Sequence, residues 1–268
     1  MIQELALSNQ KYINISNTFK SILKGNSRIS PLTQRLKSKT GRSNGRIVCP
    51  RRGHFNKRIY RFIDFKRIIF PNERGVVLLT EHDPIRSAYI ALICYPVGLF
   101  TYILKPSKLE IGDSIINQSN KPNHVGDSST LRKFSSGVLI HNIDSKIARS
   151  AGCSAILIRK DKNQALLKLK SGELRFFNLS TIASLGYVSN ENHFLRNIRK
   201  AGTVRYLGKR PRTRPSSMNP VDHPMGGRTR GGKQPTNKKG IINTSRPTKK
   251  QYRSSILYTK RQLKLLKQ

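Results

Sequence analysis

Tryptophan is absent from this chain of 268 residues, and carboxylates are scarce: 13 Asp plus Glu stand against 52 Lys plus Arg. The formal net charge of +39 leaves a compact chain repelling itself, so the folded state calls for a polyanion: RNA, DNA or an anionic membrane. Apolar residues make up only 36% of the sequence, core material for two modest barrels but not for one large enzyme domain. Cysteine is sparse too. Cys49, Cys94 and Cys153 show no CxxC spacing, which excludes a disulfide framework and a cysteine zinc site and fits a reducing compartment. His54, His82, His124, His141 and His193 have no ligand spacing either, so neither a metal nor another cofactor is expected. Long apolar runs are missing, with one imitation. Ser87 to Leu104 is uncharged over 18 residues, but Pro96-Val97-Gly98 interrupts it. Two strands joined by a turn, and no membrane partner, are the expectation.

The charge is unevenly spread. From Leu32 to Phe70 there are 12 basic residues and one acid, Asp64, and from Arg205 to the C-terminus 18 basic residues and one acid, Asp222. Between Glu73 and Glu191 lie ten of the thirteen acids and 15 basic residues. That layout suits a folded body flanked by arms that lie on phosphate. Residues 1 to about 30 lack a pattern and have no apolar secretory core, reading as a disordered or RNA-ordered arm in preference to a weak organellar targeting segment.

The middle reads as mainly β. Short runs rich in β-branched and aromatic residues predict strands over 58–65, 75–82, 87–95, 99–104 and 112–115, with no room for crossover helices, so an antiparallel OB-like barrel is expected over 58–116. Polar residues 117–136 read as a linker. A second set, 137–143, 153–160, 164–170, 173–178 and 181–188, predicts a second small barrel within 137–202. In its clearest hairpin Ser171-Gly172 forms the turn, with Leu167, Leu169, Leu174 and Phe176 on the buried face and Lys168, Lys170 and Arg175 outward. Asn190 is expected to cap a helix through Lys200 that Gly202 stops. Residues 1–57 and 203–268 form basic extensions in this reading, with a further helix within Ile256–Lys267.

Two segments carry the chemistry. GRSNGRIVCPRRGHFNKRIYRFIDFKR (41–67) mixes arginines with small residues and with Tyr60, Phe62 and Phe65. Its cations suit phosphates and its glycines allow close backbone approach, while the aromatics are either stacking platforms or core. AGTVRYLGKRPRTRPSSMNPVDHPMGG (201–227) alternates Arg with Pro and Gly, an extended path that follows an RNA groove closed to a helix.

These strings resemble the large-subunit ribosomal protein two family of the bacterial and organellar type. The resemblance rests on GRSNGRI (41–47), YRFIDFKR (60–67), DPIRSAYIAL (83–92), ARSAG (148–152), LKSGELR (169–175), AGTVRYLGKRP (201–211) and above all MNPVDHP (218–224). It spans roughly Pro31 to Gly232 and implies an OB-like barrel, an SH3-like barrel and two extensions entering large-subunit RNA. It further implies that 200–232 approaches the peptidyl transferase region, and a part in subunit assembly and in joining the two subunits. The partners implied are large-subunit ribosomal RNA, neighbouring ribosomal proteins and the small subunit across an intersubunit contact. The chain departs from the family's pattern in RRGHFNKR (51–58), where Gly53 stands alone, and at Tyr206, Met225 and Arg228; the spacer before ARSAG is shortened, and the tail from Lys233 matches poorly.

The RNA-binding residues expected on charge and motif are Arg42, Arg46, Arg51, Arg52, His54, Lys57, Arg58, Arg61, Lys66, Arg67, Arg86, Arg149, Lys200, Arg205, Lys209, Arg210, Arg212, Arg214, Asn219, His223, Arg228, Arg230 and Lys233. Asp222 and His223 invite an acid–base reading. Adjacent residues point apart, however, and no nucleophile accompanies them, so a turn-fixing or RNA-contacting histidine is preferred and no catalysis is expected. A non-ribosomal nucleic-acid-binding protein and an RNA-modifying enzyme using Asp222 and His223 are the alternatives. The Ile, Lys, Asn and Ser bias favours a mitochondrial ribosome over a chloroplast or bacterial one.

Overall fold

The computed structural model describes residues 29–37, 40–227, 234–242, 255–259 and 262. The chain divides into two units: Met1–Leu36 with Arg58–Asn197 and Ser254–Gln268, and Lys37–Lys57 with Ile198–Arg253. The architecture is mainly β, in antiparallel sheets, as the sequence reading expects.

In the first unit β1 (Thr33–Arg35) pairs antiparallel with β4 (Ile59–Arg61). A four-stranded sheet follows, built from β5 (Arg74–His82), β6 (Tyr89–Cys94), β7 (Phe100–Leu104) and β8 (Ser114–Ile116) in the order β7-β6-β5-β8. Ile63 adds a parallel bridge to Tyr102. The uncharged run from Ser87 to Leu104 supplies β6 and β7, the best-buried strands of this sheet. On β6, Ala91 and Ile93 pack with Phe70, Val77 and Ile115, while Ile90 and Leu92 pack on the other side with Ile29, Leu32 and Phe100. A strand buried on both faces needs apolar residues throughout, which is why it imitates a membrane span. Pro96-Val97-Gly98 makes the turn, with the Gly98 amide donating to the Tyr95 carbonyl at 2.8 Å. No helix among the described residues is long and apolar enough to cross a membrane.

The second sheet holds β9 (Ser128–Thr130), β10 (Leu139–His141), β11 (Ala155–Lys160), β12 (Gln164–Leu169), β13 (Leu174–Asn178), β14 (Ile182–Leu185) and β15 (Ile256–Tyr258), in the order β15-β13-β12-β11-β10-β14-β9. Its core is Leu131, Phe134, Ile140, Leu157, Leu167 and their neighbours. Four local expectations are corrected here. The β12–β13 hairpin pairs Lys168 with Leu174 and Leu167 with Arg175, so Ala165, Leu167 and Phe177 share the core side, while Leu174 and Phe176 lie on the other face. The loop is three residues, Lys170 to Gly172, closed by the Leu169 amide on the Glu173 carbonyl at 2.9 Å, with Gly172 at φ +89°. One residue more than the expected two-residue turn moves every side chain of β13 to the opposite face.

Asn190 does not cap a helix. It sits at φ +63° and its side-chain amide donates to the Ser87 carbonyl at 2.6 Å, so only a 3-10 stretch, Glu191–Leu195, follows. The expected C-terminal helix does not begin at Ile256: Ile256–Tyr258 is a strand that closes the edge of β13, with Ile256 buried, while Gln262, the next described residue after Thr259, is helical. A bare sheet edge draws an Ile-Leu-Tyr triplet into pairing. Residues 117–136, polar in composition, are not a structureless linker. They carry β9, and Asn117, Asp127, Ser128, Ser129, Leu131 and Phe134 are buried. Their polarity is spent on internal hydrogen bonds: Asp127 accepts the Ile116 amide at 2.9 Å and the His124 amide at 3.1 Å.

His141 on β10 is buried, and its Nδ1 lies 3.1 Å from the Gly186 carbonyl. Burial lowers its pKa from 6.5 to about 4. The unfolded chain therefore takes up a proton near 6.5 that the folded chain refuses until about 4. The contribution to stability is complete above 6.5 and is lost as pH falls through that window. By linkage this one group lowers stability by about 2 kcal/mol between pH 7 and pH 5. Urea midpoints measured across that range will fall less for His141→Gln than for the parent; equal pH dependence of the two contradicts the assignment.

Candidate nucleic-acid interface

The expected RNA-binding residues separate into two groups by what surrounds them. In the first unit most are committed internally. Arg67 is corrected outright: it is 2% exposed, its Nε donates to Asn117 Oδ1 at 2.7 Å and its Nη2 to the Gly126 carbonyl at 3.1 Å. Asn117 in turn donates to the Tyr95 hydroxyl at 2.7 Å. The Arg67 amide donates to Asp64 at 2.8 Å; burial raises the Asp64 carboxyl pKa and the nearby Arg67 charge opposes it. Arg61 donates to Glu81 Oε2 at 2.8 Å, where Glu81 also accepts the Tyr102 hydroxyl at 2.8 Å. Burial and the Glu81 carboxylate push the Tyr102 phenol far above its ordinary value. Arg86 is paired with Asp83 at 2.7 Å. Arg86 and Arg149 lie 5.3 and 4.3 Å from the Phe65 ring centre, and Arg149 also donates to the Ser145 carbonyl. Phe65 thus serves as a platform for two guanidiniums of its own chain. Tyr60 and Phe62 meet edge to face at 5.5 Å, with Phe62 exposed. Lys66 is exposed and Arg58 half-buried.

The second unit is different in charge and construction. Its sequence holds 23 Lys plus Arg and a single acid, Asp222. The N-terminal portion begins with a hairpin of β2 (Arg42–Ser43) and β3 (Arg46–Ile47), whose Asn44 and Gly45 both take positive φ, 48° and 72°. Asn-Gly at the two central positions is the composition such a turn needs. Arg42 and Arg46 are exposed on its two strands. The C-terminal portion begins with α1 (Ala201–Tyr206). This helix runs through Gly202 and ends at Gly208, whose φ is +85° and whose amide donates to the Arg205 carbonyl at 2.8 Å. A left-handed glycine after the last turn is the common helix stop, and Gly208 fills that role where the sequence suggested Gly202.

The two basic segments then pair with each other. The Gly53 amide donates to the Gly208 carbonyl (2.9 Å), the Asn56 amide to the Tyr206 carbonyl (3.2 Å) and the Arg210 amide to the Arg51 carbonyl (2.8 Å). Arg52 stands opposite Lys209 in an antiparallel bridge. Crowding favours glycine at 53, and a left-handed backbone angle in a tight site favours it at 208. A Cβ on Gly53 would lie 2.8 Å from the Arg210 Cγ, and one on Gly208 would lie 3.1 Å from the Phe55 Cβ and 3.3 Å from the Gly53 carbonyl oxygen. Gly53, the one glycine left in RRGH, therefore marks the crossing point of two segments about 150 residues apart in sequence. Arg51, Arg52, Lys209 and Arg210 are all exposed, and the register sets Arg52 beside Lys209 on one face of the paired segments and Arg51 beside Arg210 on the other. Such juxtaposition is unfavourable without a counter-charge and suits the closely spaced charges of a phosphate backbone.

Beyond Arg210 the exposed Arg212 and Arg214 lead into a loop over Met218–Gly227. The Gly227 amide closes it on the Met218 carbonyl at 3.0 Å, and a Cβ on Gly226 would lie 2.4 Å from the Asn219 carbonyl oxygen. His223 is buried inside and its Nδ1 accepts the Met225 amide at 3.2 Å, so the ring holds the turn; Asp222 and Asn219 face outward. His54, Lys57, Lys200 and Arg205 are also exposed. Arg228, Arg230 and Lys233 lie outside the described residues. Sequence reasoning missed the exposure of Phe194 and Val221, 79% and 90%; Phe194 stands two residues before Arg196, and Val221 lies within the MNPVDHP string. It also missed the pairing of the two segments. Among the described residues no three His, Cys, Asp or Glu side chains converge.

Comparison with known proteins gives the same direction. Residues 29–117 match the family described as Ribosomal Proteins L2, RNA binding N-terminal domain, and residues 124–245 match Ribosomal Proteins L2, C-terminal domain. The large ribosomal subunit protein uL2 of Orientia tsutsugamushi is 43% identical over 231 residues, covering 82% of this chain and 84% of that protein. The uL2 protein of Bartonella quintana is 42% identical over 258 residues, 91% of each, and that of Rickettsia bellii 43% identical over 234 residues, 84% of this chain and 85% of the relative. A match of this extent, over both domains and in order, places the chain in the L2 family of large-subunit ribosomal proteins.

Proposed function

We propose that this protein is a structural constituent of the large ribosomal subunit, binding large-subunit ribosomal RNA mainly through its second unit and carrying out no reaction of its own. The observation that carries this is the concentration of exposed cations around the paired segments, with one acid among 23 basic residues. Arg42, Arg46, Arg51, Arg52, Lys57, Arg205, Lys209, Arg210, Arg212 and Arg214 are the phosphate contacts in this reading. Lys66 adds to them from the first unit. Arg61, Arg67, Arg86 and Arg149 instead hold the first unit in shape. Neighbouring ribosomal proteins and the small subunit are its partners in this reading, and the 200–232 segment lies toward the peptidyl transferase region, a reading that the family resemblance supports. Its site is the mitochondrial ribosome, on the Ile, Lys, Asn and Ser bias of the sequence.

The full chain, tagged and expressed in cells, is expected to co-sediment with mitochondrial large subunits at moderate salt. Recovery free of ribosomal particles contradicts the function, and recovery with another compartment's ribosomes contradicts the localisation. His223→Gln separates a structural histidine from a catalytic one. Because the ring fixes a turn, the variant lowers incorporation into large subunits, while peptide-bond formation per assembled particle stays at the parental rate. A slowed chemical step with normal incorporation would restore the enzymatic reading.

A further inference from the structure

We infer that the two basic segments of the second unit act as one composite phosphate-binding ladder, neither competent without the other, whose assembly is completed by the RNA that it binds. The inference rests on the proposal that this surface meets ribosomal RNA, and it deepens that reading by assigning the site to a junction instead of to two independent arms.

Three observations carry it. The backbone bonds at Gly53, Asn56 and Arg210 tie residues 51–56 to residues 206–210 in antiparallel register. The side chains of the two segments are interleaved at the crossing: the Arg210 stem covers the Cα of Gly53, with an Arg205 guanidinium nitrogen beside it. Finally, Arg52 is fixed directly opposite Lys209, in a unit whose sequence has one acid to offer. The same hydrogen bonds that shape the ladder thus hold cations of both segments at unfavourable spacing. An anion lying along the ladder turns that repulsion into attraction for both segments together. A ligand that stabilises only the joined form shifts the chain toward it, and each segment raises the other's affinity for the same ligand. A phosphodiester backbone, with closely spaced negative charges, is the ligand class that matches a cross-strand cation pair supplied by both segments; a single small anion offers one charge only.

Gly208→Ala tests this without removing a charge. The new methyl comes within 3.1 Å of Phe55 and 3.3 Å of the Gly53 carbonyl at φ +85°, a strained backbone angle for alanine, so the joined form is weakened relative to the separated one. Gly240→Ala is the control, at φ +76° with no atom within 4 Å of the added Cβ. Binding of the full chain to large-subunit ribosomal RNA is measured across a salt series. The log–log slope of Gly208→Ala is expected to become shallower by about 2 or more, the equivalent of roughly three phosphates released, while Gly240→Ala keeps the parental slope. Arg52→Gln and Lys209→Gln, singly and together, give a second test that leaves the backbone alone. Each single change gives up one phosphate partner but also relieves the repulsion across the ladder. The double change relieves that repulsion only once, so its loss exceeds the product of the single losses by at least threefold. A parental slope in Gly208→Ala, or a double loss equal to that product, overturns the composite ladder. If the parent itself binds with a flat slope, the phosphate reading fails first, and the two failures are distinguished.

Discussion

Arg67→Ala is expected to lower the stability of the full chain by about 3–5 kcal/mol, although charge and motif both mark Arg67 as an RNA contact. The reason is the place of its guanidinium. It is 2% exposed and bonded to Asn117 and to the Gly126 carbonyl, so its removal leaves an amide and a carbonyl buried without their donors. Asn117 passes the effect to Tyr95, which packs on Phe70 with ring centres 4.3 Å apart. The urea midpoint falls by roughly 1 M or more on the usual slope for a chain of this size. Arg67→Lys keeps the charge but loses the planar fork that reaches both acceptors, and recovers only part of the loss. RNA affinity per folded molecule stays near the parental value in both variants. A normal midpoint combined with weakened RNA binding would reverse this assignment and return Arg67 to the interface.

The opposite profile is expected at the ladder. Changing Arg51, Arg52, Lys209 and Arg210 together to Gln is expected to weaken binding to large-subunit ribosomal RNA roughly 10³-fold at about 0.1 M salt, on the order of 0.7–0.9 log units for each phosphate no longer neutralised. The deficit shrinks toward zero near 1 M salt, where the counterion contribution vanishes. Stability of the free chain does not fall, because the substitutions relieve repulsion between exposed like charges. Four exposed cations taken from the first unit, Lys121, Lys146, Arg159 and Lys162, serve as the comparison. Their replacement costs far less if the second unit dominates binding. Equal losses in the two sets would mean that total charge, not the paired geometry, sets the affinity.

The strand inventory was legible because local chemistry decides it. β6, β7, β11, β12 and β13 all fall within expected runs, and β5 exceeds its run by Arg74 alone; in these runs β-branched and aromatic residues stand between turn residues. What escaped depends on distant partners. A single extra loop residue at Lys170–Gly172 reverses the faces of β13, and nothing before Leu174 announces it. The 117–136 stretch looks solvated because its Asp, Asn and Ser side chains are satisfied inside the protein, Asp127 and Ser128 by nearby backbone amides and Asn117 by Arg67 and Tyr95, and composition does not distinguish water from protein as the partner. The same blindness affected the interface. Arg67 and Arg52 are indistinguishable as letters in a basic run, yet one is enclosed by Asn117 and Gly126 and the other stands opposite Lys209 in the open. Two features of the second unit do have local signals. Asn44-Gly45 announces a hairpin on its own, and Gly208 followed by Lys209-Arg210-Pro211 has the form of a helix stop. The pairing of Gly53 with Gly208 had no local signal.

The account depends on RNA supplying the counter-charge that the second unit lacks. A salt titration of the full chain binding to purified large-subunit ribosomal RNA tests that most directly. With ten phosphates contacted, log affinity falls against log salt with a slope of about −7 to −9. A slope near zero would contradict the account.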